Sequence, residues 1–152
     1  MGGNTRYIYD LRGHILNMTD PVRAVTLFGY DAVGNRVSLT DPNGRRTTYT
    51  YDAANRLIGV ADPAGGKTAY AYDTENSLLS LTDAKGQTTT FTYDGHDRMV
   101  ARTDPLGRSE TFTYDAVGNL LTRTDRRGQT IHYTYDPLNR LTEKTLPGGA
   151  TT

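Results

Sequence analysis

The 152-residue chain has no cysteine and no tryptophan. Without thiols there is neither a disulfide framework nor a thiolate metal site, and the redox compartment stays open. The chain also lacks net charge. Its 17 basic residues balance 17 acidic ones, and no basic run exceeds Arg126-Arg127. That removes the electrostatic case for nucleic acid or an anionic membrane surface as partner. Apolar residues make up only 36%. No apolar stretch approaches the roughly 18 residues that span a bilayer, so no membrane insertion is expected. No leader segment and no helical 3.6 period are visible. What is present is 11 tyrosines, 16 glycines and many threonines, a composition suited to strands and turns.

Seven Tyr-Asp pairs recur every 21 residues without an insertion or deletion: Tyr9-Asp10, Tyr30-Asp31, Tyr51-Asp52, Tyr72-Asp73, Tyr93-Asp94, Tyr114-Asp115 and Tyr135-Asp136. A fixed period of this kind identifies a repeat architecture. It also weighs against an enzyme, because an active site needs unlike residues converging at one place. Gly2 occupies the place of Gly44 and Gly65 in later units, and Gly149 to Thr152 open one more. Residues 2–152 are therefore expected to be one continuous array of seven units, a slice of a longer one. Terminal repeats are usually capped, and these are not.

Within one unit, Asp31-Ala32-Val33-Gly34 and Asp41-Pro42-Asn43-Gly44 both fit a type I turn, with Asp first and Gly fourth. The Asp side chain accepts from backbone N–H groups further on, and the fourth residue takes positive φ, forming a three-residue hairpin loop with a bulge. Asp52 with Asn55, Asp62 with Gly65, and Asp115 with Gly118 repeat the pattern. The fourth position of the first turn is always Gly, Asn or Asp. In the second turn it is Gly except at Arg23. Between turns lie two strands of about six residues. One carries aromatics at alternate positions, as in Phe28/Tyr30, Tyr49/Tyr51 and Phe112/Tyr114, with threonine on the other face. The second holds aliphatics (Val37/Leu39, Leu57/Ile58/Val60), and its less regular alternation leaves its inward face unassigned.

The fold class expected is all-β: an antiparallel hairpin array with about two strands per repeat, in a curved or spiralling sheet. Such a ribbon, ~65 Å long and ~20 Å wide, cannot make a compact core of its own faces. Its aromatic face needs a cover, so the isolated chain is expected to be marginal, oligomeric or aggregation-prone.

Three features invite a site reading. The Asp rows resemble a calcium ladder, but turn capping accounts for them better. The aromatic row of Tyr30, Tyr51, Tyr72, Tyr93, Tyr114 and Tyr135 suits either cross-strand packing or a carbohydrate- or protein-binding strip. His14, His96 and His132 fall at three different offsets and read as drift at solvated positions. The serines lack a nucleophile-elbow context, and Gly65-Gly66-Lys67 is a turn and not a phosphate loop. Arg56, Arg98, Arg102, Arg123 and Arg140 are expected to pair with acids on neighbouring strands. No catalytic residue, metal site or cofactor is assigned.

The unit Tyr114-Asp115-Ala116-Val117-Gly118-Asn119-Leu120, together with Thr103-Asp104-Pro105-Leu106-Gly107-Arg108, resembles the RHS repeat, also called the YD repeat. The resemblance covers essentially the whole chain. It implies a hairpin array wound into a hollow shell. In bacterial toxins, toxin-complex C components and secretion effectors such a shell encloses a toxic domain, and in teneurins a similar one serves adhesion. By resemblance the parent protein is expected to be secreted or at the cell surface. The autoproteolysis segment that ends full-length shells is not matched. Asp104-Pro105-Leu106-Gly107 and Asp136-Pro137-Leu138-Asn139 share its opening letters but sit in phase as ordinary turns. The function expected is a non-catalytic shell segment enclosing a polypeptide cargo, with partners that are further repeats or other copies. The alternative is an extracellular carbohydrate- or protein-binding adhesion module. An enzyme with its chemistry outside this stretch comes third.

Overall fold

The computed structural model describes residues 3–151. Gly2 and Thr152, which the period counts within the array, lie outside the described residues. The strands are β1 (Arg6–Tyr9), β2 (Ile15–Thr19), β3 (Val25–Tyr30), β4 (Arg36–Thr40), β5 (Arg46–Tyr51), β6 (Leu57–Ala61), β7 (Lys67–Tyr72), β8 (Leu78–Thr82), β9 (Thr88–Tyr93), β10 (Met99–Thr103), β11 (Ser109–Tyr114), β12 (Leu120–Thr124), β13 (Thr130–Tyr135) and β14 (Leu141–Thr145). There is no helix among the described residues. The fold is an all-β array of antiparallel hairpins, with reversals at the acidic corners.

Two compact units can be distinguished. One is the chain up to Tyr70 with Thr82–Gly86, and the other is Ala71–Leu81 with the chain from Gln87 onward. In the first, β1 to β7 follow one another in sequence order, each hydrogen-bonded to its neighbour. In the second, β8 to β14 do the same. Such contacts between sequence neighbours are the local pairings that fold fastest.

The two hairpin types differ in register. At the Tyr-Asp hairpins the ladder shifts by one residue. Tyr51 pairs with Leu57 but Thr50 pairs with Gly59, so Ile58 is extra. Val37, Val100 and Leu121 are left over in the same way. The alternate hairpins run without a shift, as in Ser38↔Thr48, Leu39↔Thr47 and Thr40↔Arg46. A bulge opposes two residues to one and breaks the period of two on its own strand. That is why the aliphatic strand alternates less regularly than the aromatic one.

Residues directly opposite in a ladder share a face. The aromatic face of the first unit therefore pairs Tyr7 with Met18, Phe28 with Leu39, and Tyr49 with Val60. The other face is a threonine ladder. In the second unit Thr113 and Thr122 hydroxyls lie 2.6 Å apart, and those of Thr124 and Thr130 lie 2.8 Å apart. No hydrophobic residue is buried among the described residues, and only Ser38 and Asp104 are. Half-buried side chains on open faces, backbone ladders and corners hold this array together, where a compact domain would use an interior core.

Candidate functional site

Each corner is built from one aspartate outward. At Asp41 the backbone closes a hairpin loop. Gly44 N–H donates to the Asp41 carbonyl at 2.9 Å, and Asp41 N–H donates to the Arg45 carbonyl at 2.9 Å. The carboxylate then closes a bracket around the loop. Its Oδ1 accepts from the N–H groups of Asn43 and Arg45, both at 2.9 Å, and its Oδ2 accepts from Arg45 Nε at 2.7 Å. Asp31 and Asp115 are bracketed in the same way, with Asn35 and Asn119 supplying the side-chain amide. Asp52 uses Arg56. Asp62 Oδ1 accepts from Ala64 and Gly66, both at 2.8 Å.

The fourth residue of each loop has positive φ: Gly34 at 100°, Gly44 at 75°, Asn55 at 61°, Gly65 at 89° and Gly118 at 101°. Arg23 adopts the same backbone at 68° despite its bulk. At Asp31, Asp41, Asp52, Asp94, Asp104 and Asp115 the carboxylate is correspondingly held in the charged form. At Asp94 the Arg98 side-chain bond is the largest influence, and the carboxyl lies at about 2. At Asp41 and Asp52 the backbone N–H four residues on is the largest, and the direction is again down. At Asp31, Asp104 and Asp115 burial is the largest influence and pushes upward, but the converging donors outweigh it.

Neighbouring corners are stitched sideways. Asn35 Nδ2 donates to Asn55 Oδ1, and Asn119 Nδ2 donates to Asn139 Oδ1, both at 2.9 Å. Arg98 Nη1 donates to the Asp115 carbonyl at 2.7 Å while its guanidinium sits 4.9 Å from the Tyr114 ring. Arg12 donates to the Ala32 carbonyl. The tyrosines of the Tyr-Asp pairs add a latch. Four of the phenols donate to a backbone carbonyl 15 residues earlier: Tyr51 to Arg36 at 3.0 Å, Tyr93 to Leu78 at 3.1 Å, Tyr114 to Met99 at 2.9 Å, and Tyr135 to Leu120 at 3.1 Å. Tyr30 instead stacks on His14 at 4.6 Å. Tyr72 ends β7.

Two expectations need correction. His14 is not a solvated drift position. It is half-buried, with Nδ1 2.9 Å from Asp10 Oδ2, and fills the bracket place that arginine or asparagine holds elsewhere. Arg56, Arg98 and Arg140 do not reach to neighbouring-strand acids. They pair with Asp52, Asp94 and Asp136 in their own loops at 2.7 Å, because a three-residue loop brings the side chain four positions past the aspartate back over it. Of the group, Arg123 does cross, to Glu110 at 2.6 Å.

The chain matches the RHS repeat family model over residues 30–67, 51–84, 72–109 and 114–151. It belongs to the RHS repeat family. No curated protein sequence matches it. Among solved structures, the fold recurs in the Photorhabdus luminescens Tc holotoxin pore with a TccC3 mutation. There the TM-score is 0.79 and the identity 19%, over 97% of this chain and 9% of that one. The complex of TcdB2 with TccC3 gives 0.78 and 19%, covering 97% and 10%. The same complex without its hypervariable C-terminal region gives 0.78 and 20%, covering 97% and 9%. The RHS chain described here thus spans about a tenth of the solved chains it matches.

Three features of this RHS array escaped the sequence reading. The bracket side chain four residues past each aspartate had a signal, since Asn or Arg recurs there in the motif. The phenol latch had none beyond the fixed spacing itself. The third is a change on the aromatic face. In the second unit Phe91 is paired with Arg102, Phe112 with Arg123, and Tyr133 with Lys144. Cations stand there where the first unit has aliphatic residues.

Proposed function

We propose that this chain is a non-catalytic wall segment of an RHS-type shell that encloses a polypeptide, such as a toxin domain, within a secreted or cell-surface parent protein. Residues 2–152 act as one continuous stretch of a longer array, and their partners are further repeats on either side and the enclosed chain. The observation that carries this reading is the match of 97% of the chain, at a TM-score of 0.79, to part of a Tc toxin chain. Corner construction supports it. Asp31, Asp41, Asp52, Asp62 and Asp115, with Gly34, Gly44, Asn55, Gly65 and Gly118, hold the reversals. The tyrosines latch strand to strand. Carboxylates so occupied by N–H donors offer few free lone pairs to a metal ion or a reacting group. A hydrogen-bonded wall works by geometry: it keeps protease and solvent from what lies behind it.

A graft tests this. The structurally matching stretch of TccC3 is replaced by these repeats, the chimera is mixed with TcdB2, and protease is added. Circular dichroism first verifies that the chimera is folded. The C-terminal region is expected to survive at least as long in the chimera as in the parent complex treated alongside it. Digestion as fast as that of the free region, in a folded chimera, would refute the wall.

A further inference from the structure

The second unit carries a strip of alternating rings and cations on one face. Phe91 lies opposite Arg102, Phe112 opposite Arg123, and Tyr133 opposite Lys144. The register fixes these side chains on a common face. The matching places in the first unit are Met18, Leu39 and Val60, so the cations are a property of one region and not of the repeat. Glu110 is also on this face, directly opposite Arg102 in the ladder. It is occupied by Arg123 at 2.6 Å. Among the described residues neither Arg102 nor Lys144 has an ion-pair partner.

We propose that this strip binds an acidic polypeptide segment in extended conformation, laid across the strands. Successive cations are one repeat apart. That is two strand spacings across and two residues along the strands, since Arg102 lies opposite Glu110 and Arg123 opposite Phe112, or ~12 Å in all. An extended chain advances about 3.3 Å per residue, so carboxylates three or four positions apart come within side-chain reach of successive cations. The rings between them give the peptide backbone and intervening side chains an apolar floor, and they favour guanidinium placement over their faces. Nucleic acid suits the strip less well. Glu110 stands in its middle, and the chain as a whole has no net charge to gather a polyanion. This inference rests on the wall reading only for the source of the peptide, which would be the enclosed chain.

The test uses the full chain immobilised at low density. The probes are a short peptide with glutamate at every third position, its lysine counterpart, and an oligothymidylate. The glutamate peptide is expected to bind, with affinity that falls as salt rises. The double variant Arg102→Gln/Lys144→Gln is expected to weaken binding by about tenfold or more. It leaves Arg123 on Glu110, so no half-buried carboxylate is stranded. Arg46→Gln removes a charge from the opposite face of the first unit and is expected to change binding by less than about twofold. Circular dichroism of each variant checks that the strands persist. Equal binding of the lysine peptide, tighter binding of oligothymidylate, or indifference to the double variant in a folded protein would overturn the proposal. Absent peptide binding alongside a protective graft would sink the strip alone. Peptide binding alongside a failed graft would sink the wall alone.

Discussion

The first unit sets aliphatic residues against its rings, and the second, from β10 onward, sets cations there. Met18, Leu39 and Val60 give way to Arg102, Arg123 and Lys144 at the same repeat position. The corners do not change in step. Asp41 and Asp52 in the first unit are bracketed as Asp94 and Asp104 are in the second. The difference separates two layers of information. Corners and ladders set where the chain turns, and an open face tolerates either an apolar or a charged partner beside each ring. A compact domain could not make this exchange, because burying an unpaired guanidinium is far too costly.

Acid is the strongest way to probe the shared layer. Corner aspartates in both units have folded-state values below the ordinary ~3.9 of an unfolded aspartate. Their contribution is therefore complete above about pH 4 and is lost as pH falls through the folded values, toward the value of about 2 at Asp94. Amide spectra recorded across that window are expected to lose signals of both units together. Loss confined to the cation-bearing unit would mean that the face, and not the corner, holds the strands.

A smaller effect comes from truncating the face itself. Leu39→Ala removes half-buried apolar surface beside Phe28 and is expected to cost about 1.5 kcal/mol in urea unfolding. Arg102→Ala is expected to stay within about 0.5 kcal/mol. Equal costs would erase the distinction between the units.

Loop backbone gives the next step down. Arg23→Gly relieves a left-handed residue in the first unit, with an expected gain of about 1 kcal/mol. Gly128→Arg imposes the same burden on the second unit at φ 78°, with an expected loss of similar size, about 1 kcal/mol. Urea midpoints check both.

The smallest expected effects are at the phenols. Tyr51→Phe and Tyr114→Phe each remove one bond to a carbonyl and are expected to cost about 0.5–1 kcal/mol, alike in the two units. Tyr30→Phe keeps its stack on His14 and is expected to be neutral in thermal melting.

Corner positions were legible in the sequence because turn chemistry is local. Asp at the first place and Gly, Asn or Asp at the fourth have physical reasons that act within four residues. Even Arg23 was visible as the departure. The aromatic face was legible for the same reason, as a period of two. The faces of the aliphatic strand were not, because the extra residue at Val37, Ile58, Val100 and Leu121 appears only once two strands are paired. Cross-strand partners such as Phe112 and Arg123 likewise depend on that register. His14 was misread because its role is set by Tyr30 and Asp10, which only the fold brings to it.

Residue-resolved amide hydrogen exchange of the chain in solution tests most directly whether corners and ladders sustain the array. Slow exchange is expected to recur with the 21-residue spacing at the bracketed amides, such as Asn35, Arg45, Arg56 and Asn119, with fast exchange at loop tips such as Ala32 and Ala116. Corner amides exchanging at unstructured rates, while strand interiors stay protected, would contradict it.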